Sequence, residues 1–358
     1  MKRIVILLLL LLAASVCYSQ TTDLVYVDTD VVGGNDDGSS WENAYSSLED
    51  AIAGEARDLT SSNEICKILL RGSTNADTDD VTLSGFTTSS TQYVWLYADP
   101  EDRHEGTYST SKYRMTYTDE YCLEIFDEHV RVDGIQFGLT VTANNSGNCI
   151  RIANVAAGCD IRISNCIFNA VSMDGSGSGK GVSTADTDAV VDIWNCVFND
   201  FLSGADDDFT GIRVTGDFDI WNCTIYGCYY GIEEYTTTDV DVTNCIVFEC
   251  ETDLYGADGD LKPTYCLSND DLTVYSVTNQ VITQTDDNYA ALVVDADGGD
   301  FSLTDSSSEA VGFGDDDPGG AVQDDTDIIG TARTSSWDCG AFELSGSIVP
   351  IIVNIQNQ

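Results

Sequence analysis

The chain has 358 residues, and its 61 acidic and 15 basic residues give a formal net charge of −46 at pH 7. Nucleic acids and anionic membrane surfaces are disfavoured as partners, because a chain this acidic would repel them. A chain of this length can form two domains, but the internal repeats found below require only one.

Residues 1–19 have the pattern of a signal peptide. A charged start precedes the apolar run from Ile4 to Ala14, and Cys17-Tyr18-Ser19 is the predicted cleavage site. A membrane anchor is the weaker alternative because the run is too short to span a bilayer. A lipoprotein site at Cys17 is disfavoured by the bulky Val16 before it. We predict a secreted protein, extracellular or at the cell surface, with no membrane insertion after signal removal.

An amphipathic helix is predicted next. Glu42 follows Ser39 by three residues, the spacing of a capping box at a helix start. The apolar residues of this stretch fall on one helical face: Trp41, Ala44, Tyr45, Leu48, Ala51 and Ile52. Such a helix can cover the open end of a strand array, and an ordinary surface helix is the alternative. Early strands are predicted after it at Ile65–Leu70, Val81–Leu83 and Tyr93–Ala98.

One eight-residue pattern then recurs five times between His129 and Glu249. Its first, third, sixth and eighth positions are apolar or Cys, and alternation at period two predicts a strand. The copies are Val130–Phe137, Ile161–Phe168, Val191–Phe198, Phe218–Ile225 and Val240–Val247.

The fifth position of the pattern interrupts the alternation. Its occupants, 31, 30, 27 and 22 residues apart, are Gly134, Asn165, Asn195, Asn222 and Asn244. Gly and Asn enter the left-handed conformation at the lowest cost, so each copy is predicted to bend there. Repeats of this period without helices between them predict a coil of parallel strands, a β-helix. A β-sandwich is the alternative, which the in-phase Asn disfavours.

A second set of short strands supports an all-β solenoid of two or three strands per coil. These segments precede or follow the eight-residue pattern at equivalent places: Cys122–Ile125, Cys149–Ile152, Gly181–Ser183, Gly211–Val214, Gly231–Glu233 and Asp253–Tyr255.

The cysteines follow the same repeat. The sixth position is predicted to point inward as a stack of buried thiols: Cys166, Cys196, Cys223 and Cys245. Two further pairs, Cys122/Cys149 and Cys228/Cys250, lie at equivalent places in successive coils. Coil spacing falls within the range a disulfide needs, but free thiols are favoured over bridges.

The second position of the pattern points outward and carries three acidic residues, Asp192, Asp219 and Asp241. Adjacent coils lie about 4.8 Å apart, so two such carboxylates can approach the roughly 5 Å separation that a retaining glycosidase uses. A solvated acidic face or a calcium site is the favoured alternative, and the three residues remain weak catalytic candidates.

The fourth position supplies the best sign of a ligand. Trp194 and Trp221 occupy it on adjacent coils, and Tyr229 and Tyr230 follow closely in sequence. Exposed aromatic rings of this kind suit the apolar C–H faces of sugars. We predict one exposed glycan-binding platform from these four residues, and burial of the indoles under an inserted loop is the equal alternative.

Asp-rich turns are the only sign of a cofactor. Calcium prefers clustered oxygen ligands, and the turn from Asp295 to Asp300 offers Asp295, Asp297 and Asp300. The turn matches no complete EF-hand loop, so calcium and solvated acidic turns stand as equal alternatives.

Several motifs together resemble secreted bacterial right-handed parallel β-helix proteins of the pectin-lyase-like superfamily. They are Tyr26–Asp28, Gly33–Ile52, the five copies above, Gly298–Ser308, Arg333 and Asp338–Glu343. The resemblance implies a right-handed β-helix with an N-terminal cap over residues 20–345, followed by a C-terminal tail at 346–358. It implies no particular chemistry, since the superfamily includes lyases, hydrolases, epimerases and adhesins.

Catalytic motifs of that superfamily are absent. The paired-Asp and His-Gly signatures of its hydrolases and the Arg-rich motif of its pectate lyases do not occur. His104 and His129 lie outside the repeats, where a single His is usually structural. The predicted function is therefore binding of extracellular or cell-surface polysaccharide. The alternative is a polysaccharide lyase or glycoside hydrolase acting on the outer face.

Overall fold

The computed structural model describes residues 19–174, 176–202, 208–236, 239–256, 261–270, 282–283, 291–304, 309–316, 325–333 and 337–344. The predicted signal peptide, apart from its last residue, and the predicted tail lie outside these ranges. Among the described residues, no helix is both long enough and apolar enough to cross a membrane.

Three parallel sheets run along the molecule. Sheet A has nine strands: β1 (Thr21–Asp28), β2 (Glu64–Arg71), β4 (Val94–Ala98), β7 (His129–Asp133), β10 (Asp160–Ser164), β13 (Val190–Trp194), β16 (Asp217–Trp221), β19 (Val240–Thr243) and β22 (Leu261–Thr264). Sheet B has eight strands: β5 (Arg114–Thr118), β8 (Gln136–Val141), β11 (Ile167–Met173), β14 (Val197–Asn199), β17 (Thr224–Tyr226), β20 (Ile246–Phe248), β23 (Leu267–Ser268) and β24 (Ile282–Thr283).

Sheet C completes each coil. Its seven strands are β3 (Val81–Leu83), β6 (Glu120–Ile125), β9 (Ser146–Ile152), β12 (Ser178–Thr184), β15 (Phe209–Val214), β18 (Tyr230–Glu234) and β21 (Thr252–Gly256). From β3 to β20, each strand pairs in parallel with the strand three places later in the chain, so each coil adds one strand to each sheet. The fold is a right-handed parallel β-helix, as predicted.

The predicted bends lie between sheets A and B. Asn195 and Asn222 have φ of 51° and 53°, and Gly134 has φ of 77°. The side-chain amide of Asn195 donates to Asn165 Oδ1 at 3.2 Å, and that of Asn244 donates to Asn222 Oδ1 at 3.1 Å. Because the bend turns the chain inward, the apolar positions on both of its sides face one interior.

That interior is filled by stacked side chains of the same kind. The rings of Phe137, Phe168 and Phe198 stack with centroid separations of 5.1 and 4.4 Å. The predicted thiol stack is confirmed and extends to Cys266, with all five sulfurs buried. All 12 described cysteines are free thiols, including Cys122/Cys149 and Cys228/Cys250.

The N-terminal cap differs in detail from the prediction. The capping box at Ser39 does not form, and Trp41–Asn43 is only a short 3-10 helix. The backbone of Tyr45 instead hydrogen-bonds to β1, which keeps the chain extended there. Helix α1 (Leu48–Glu55) begins later, where Ser47 Oγ accepts from the Asp50 N–H.

Helix α1 packs against β1 and β3 through Leu48, Ala51 and Ile52. Asp77 accepts a hydrogen bond from the Leu48 N–H at 2.9 Å and ties the helix to the first coils. A second helix, α2 (Leu59–Ser62), follows before β2. The cap therefore covers the N-terminal end, as predicted, with a shorter helix.

The described residues between 291 and 344 form a second layer outside sheet B, the C-terminal segment. It contains an antiparallel pair of strands, β25 (Val293–Asp295) and β26 (Asp300–Leu303). Apolar side chains that face outward from sheet B, such as Val197 and Ile246, are buried with Phe301 and Phe342 of this segment. Most of the outer face of the C-terminal half of sheet B is therefore interior.

A buried charged cluster fastens this segment. Arg333 Nη1 lies 3.4 Å from Glu343 Oε2, and Arg333 Nη2 donates to Asn195 Oδ1 at 3.2 Å. Asp327 accepts from the Glu343 N–H at 3.0 Å, and Asp338 accepts from the Leu344 N–H at 2.7 Å. These four residues, Asp327, Arg333, Asp338 and Glu343, form the closing clamp, and they include the closing motif seen in the sequence.

Candidate functional site

An open cleft of about 800 Å³ lies on the outer face of sheet A towards its N-terminal end. Strand β4 forms its floor. Val94, Leu96 and Ala98 point inward and are fully buried, so the alternation of the strand turns Trp95 and Tyr97 outward. Their rings are 5.2 Å apart at 77° and half-buried. The cleft therefore has an aromatic floor.

A lysine from the neighbouring strand lies against both rings. Lys67 pairs with Trp95 across β2 and β4, and its Nζ is 3.6 Å from the Trp95 centroid and 3.5 Å from the Tyr97 centroid. Burial lowers the pKa of the Lys67 ammonium, and the charge of Asp133 opposes this effect. The cation–π contacts fix the orientation of the rings.

One wall carries an ion pair. Arg103 Nη2 is 2.7 Å from Asp133 Oδ1, and its guanidinium lies 5.8 Å from the Tyr97 centroid. A β carbon at Gly134 would lie 2.7 Å from the Arg103 guanidinium. A side chain at position 134 would therefore displace the Arg103 guanidinium from its present position.

The histidine beside the cleft is structural. His104 is buried, its Nδ1 accepts from the Gly106 N–H at 3.2 Å, and its Nε2 donates to the Asn165 carbonyl at 2.7 Å. Burial lowers the pKa of His104 to about 4, so the ring is neutral at physiological pH. Both ring nitrogens are occupied by backbone groups, which leaves none for proton transfer.

The opposite wall belongs to the C-terminal segment. Thr326, Asp327, Ile328, Ile329 and Gly330 line it, and Ile329 is 51% exposed. The cleft thus combines the aromatic rings of its floor, the apolar side chain of Ile329, and the hydrogen-bonding groups of the Arg103–Asp133 ion pair. This combination suits a ligand with apolar faces and many hydroxyl groups.

The sequence contains a signal for this floor that the repeat pattern did not reveal. Tyr93, Trp95 and Tyr97 alternate with aliphatic residues in a predicted strand, so three aromatic side chains had to share its outer face. The charged partners come from other elements, and their approach to this face depends on the fold.

The acidic residues at the second position form the predicted outward line. Asp192, Asp219 and Asp241 pair strand to strand across β13, β16 and β19. Burial raises the pKa of Asp192 to about 6, although Arg162 Nε lies 3.5 Å from its Oδ2. Burial and the charge of Asp241 also raise the pKa of Asp219. None of the three lines the cleft, and their catalytic role stays a prediction.

The prediction that Trp194 and Trp221 form an exposed platform is wrong, because both side chains are buried. Trp194 and Trp221 do stack, with centroids 5.1 Å apart and planes at 1°, but they are only 7% and 3% exposed. The C-terminal segment runs along the bend that follows them, where the Asn195 side chain donates to the Thr326 carbonyl at 2.7 Å. A buried indole pair cannot offer its faces to a sugar.

The two tyrosines lie on a different sheet from the indoles. Tyr229 and Tyr230 adjoin β18 of sheet C, with ring centroids 4.8 Å apart. Tyr230 also contacts Tyr255 at 4.7 Å, and both Tyr229 and Tyr230 are half-buried. A single platform of four residues therefore does not exist, and glycan binding by the tyrosines stays a prediction.

The predicted calcium ligands each accept a hydrogen bond from a different group, and calcium binding by them stays a prediction. Asp295 Oδ1 accepts from the Gly298 N–H at 3.2 Å, and Asp300 Oδ1 accepts from the Ser302 N–H at 3.1 Å. Asp297 points away towards Tyr226, whose hydroxyl donates to it at 2.8 Å. Across the part of the chain that the structure describes, no three His, Cys, Asp or Glu side chains converge to hold a metal ion.

Comparisons with known proteins add two solved structures. The crystal structure of pectate lyase Pel9A is similar at 14% sequence identity and a TM-score of 0.40, covering 91% of this chain and 97% of that one. A rhamnogalacturonan lyase is similar at 11% identity and a TM-score of 0.33, covering 68% of each chain. No protein-family model matches the chain, and no curated protein matches it.

Proposed function

We propose that this protein binds extracellular polysaccharide in the cleft of sheet A. The observation that carries the proposal is the aromatic floor of Trp95 and Tyr97, held in place by Lys67 and open to solvent on the cleft side. Sugar rings present apolar C–H faces that pack on such rings, and the Arg103–Asp133 pair offers hydrogen bonds to hydroxyl groups. The β-helix supplies a rigid support for both.

Charge favours a neutral polysaccharide. The Arg103 charge is balanced by Asp133 at 2.7 Å, and the Lys112 charge lies 3.6 Å from Glu105. Lys67 adds a positive charge at the floor, and Asp327 adds a negative charge at the opposite wall. The charges at the cleft therefore balance, and the net charge of −46 on the whole chain repels a polyanion. A uronic-acid chain would need calcium or another cation to approach.

The test is binding of soluble neutral polysaccharides, such as glucans, xylans and mannans, by affinity electrophoresis and calorimetry. Trp95→Ala and Tyr97→Ala should each weaken binding at least tenfold, about 1.4 kcal/mol, with little dependence on salt. Tyr255→Ala is the matched control, because Tyr255 is 43% exposed on sheet C.

Unchanged binding in the two cleft variants would overturn the proposal. Loss of binding in the Tyr255 variant alone would move the site to sheet C.

Export is part of the proposal as well. Fusion of residues 1–19 to a reporter enzyme, assayed outside the cytoplasm, checks it.

Cleavage of an acidic polysaccharide is the second candidate, favoured by one observation. Lys67 has a pKa lowered by burial, and its Nζ lies 3.6 Å from the centroid of the Trp95 ring in the cleft floor. As a neutral amine it could take the proton from the carbon that bears a uronate carboxylate. The bond from the adjacent carbon to the leaving oxygen then breaks, a double bond forms between the two carbons, and the leaving oxygen takes a proton from water. Arg103 would hold the carboxylate. Unsaturated products that disappear in Lys67→Met would establish this activity.

A further inference from the structure

A second pair of aromatic rings lies on the same outer face of sheet A as the cleft floor. Strand β1 turns Tyr26 outward, because the residues on both sides of it are buried, and Trp41 of the N-terminal cap packs on its ring. The two ring centroids are 4.8 Å apart at 73°, close to the arrangement of Trp95 and Tyr97. Both Tyr26 and Trp41 are half-buried, and neither lines the cleft itself.

Strand register connects the two ring pairs. Tyr26 pairs with Leu69 across β1 and β2, and Leu69 pairs with Tyr97 across β2 and β4. Tyr26 and Tyr97 therefore lie two strand spacings apart in one row, roughly 10 Å. Leu24 precedes Tyr26 by two residues on the same face of β1 and is 44% exposed. Leu24, Tyr26 and Leu69 form an apolar strip that runs across the strands from the cap to the cleft.

The second ring pair has the same polar neighbours as the first. Arg71 Nε lies 2.8 Å from Asp28 Oδ2, and the Arg71 guanidinium lies 4.1 Å from the centroid of the Trp41 ring. In the cleft, Arg103 pairs with Asp133 at 2.7 Å. The Arg71 side chain is 32% exposed, so its remaining N–H groups can reach a ligand. Each ring pair thus combines an apolar surface with hydrogen-bonding groups whose charges balance, the composition of a sugar-binding site.

We propose that Tyr26 and Trp41 form a second sugar-binding subsite, and that one polysaccharide chain runs along the apolar strip from the cleft to the cap. This inference rests on the proposed function of the cleft. The strip follows one row of paired strands and is straight over this distance, so it fits an extended chain such as a β-linked glucan, xylan or mannan. A chain that coils, such as an α-linked glucan, cannot follow the strip to the second ring pair.

The test is calorimetry with β-linked gluco- and xylo-oligosaccharides of two to six sugars. The affinity of the wild type should rise with length, because only the longer chains reach the second ring pair. Trp41→Ala should weaken binding of the six-sugar chains about tenfold and leave binding of the two-sugar chains unchanged, whereas Trp95→Ala should weaken both. Tyr235→Ala is the matched control, because Tyr235 is 58% exposed beside sheet C and also carries an arginine, Arg213, 3.7 Å from its ring centroid.

Two further variants separate a lost contact from a damaged cap. Trp41→Phe keeps an aromatic ring and should retain most of the gain in affinity with length. Leu69→Asn alters the strip between the ring pairs without touching the cap, and it should also weaken binding of the six-sugar chains. The Tm of each variant, measured without ligand, shows whether the cap remains folded.

The outcomes distinguish this inference from the proposed function. Weaker binding in Trp95→Ala, with an unchanged dependence on length in Trp41→Ala and Leu69→Asn, would overturn the second subsite and leave the cleft as the binding site. Unchanged binding in all three variants would overturn both proposals. α-Linked gluco-oligosaccharides that gain as much affinity with length as the β-linked ones would overturn the assignment of an extended chain.

Discussion

At the bend between sheets A and B, each copy of the pattern has one residue in the left-handed conformation. A side chain with a β carbon meets the neighbouring carbonyl oxygen there, and Asn is tolerated because its short amide finds local partners. The Asn244 amide donates to Asn222 at 3.1 Å, but Asn195 Oδ1 accepts from Arg333 instead. Asn222 Nδ2 is accordingly left without a partner among the described residues. The stack of amides is thus interrupted where the C-terminal segment attaches.

Asn222→Val should lower the free energy of unfolding by about 1–3 kcal/mol, the cost of a β-branched residue at φ of 53°. Asn222→Gly is the control, because glycine accepts this conformation and loses only the amide hydrogen bond. Urea unfolding measures both. Equal losses in the two variants would show that backbone conformation is not the cause.

At the scale of elements, periodic segments were predictable and the C-terminal segment was not. The five copies of the pattern specify both strands and bend, since alternation and Asn act within one coil. The C-terminal segment has no such period, and its position depends on contacts with residues far away in sequence, such as Arg333 with Asn195. For this reason the sequence correctly placed Trp194 and Trp221 on adjacent coils but left their exposure and their burial as equal alternatives.

Arg333→Met should lower the free energy of unfolding by about 3–5 kcal/mol, because it leaves the carboxylates of the closing clamp buried without their cation. Arg57→Met is the matched control. Arg57 also contacts three carboxylates, Asp23, Glu55 and Glu64, but is 29% exposed. Surface pairs of this kind contribute about 1 kcal/mol or less.

Acid should partly rescue the Arg333 variant. Burial raises the pKa of Asp338 even in the wild type, and loss of the guanidinium raises it further. The deficit relative to wild type should therefore be smaller at pH 5 than at pH 8 in urea unfolding. A deficit independent of pH would indicate lost packing rather than unpaired charge.

For the molecule as a whole, buried carboxyl groups make stability depend on pH. Burial raises the pKa of Asp77 to about 6 and that of Asp253 to about 7, and both side chains are almost fully buried. A carboxyl group with a raised pKa binds a proton more readily in the folded chain. Its stabilising contribution is complete below its unfolded pKa of about 4 and is lost as the pH rises through the folded pKa.

The Tm should therefore rise by a few degrees when the pH falls from 8 to 5. His104 and His129 oppose this trend, since burial lowers their pKa values, but they are outnumbered by the raised carboxyl groups at Asp77, Asp127, Asp192 and Asp253. Calorimetry in 1 M salt separates the causes, because salt screens surface repulsion far more than buried charge. A flat or falling Tm in high salt would contradict the prediction.

The C-terminal segment is attached to two bends of the β-helix that lie a fixed distance apart. Arg333 and Thr326 bind Asn195, while Asp315 binds Asn244, two coils further on and roughly 10 Å away. The segment therefore spans a fixed number of coils between its two attachment points. Excising one repeat, from Asn195 to Trp221, would join equivalent positions without changing the strand pairing. The two attachment points would then lie one coil apart, and the segment would no longer reach both bends in its present conformation. A change in the number of coils between these two bends therefore requires a matching change in the length of the C-terminal segment.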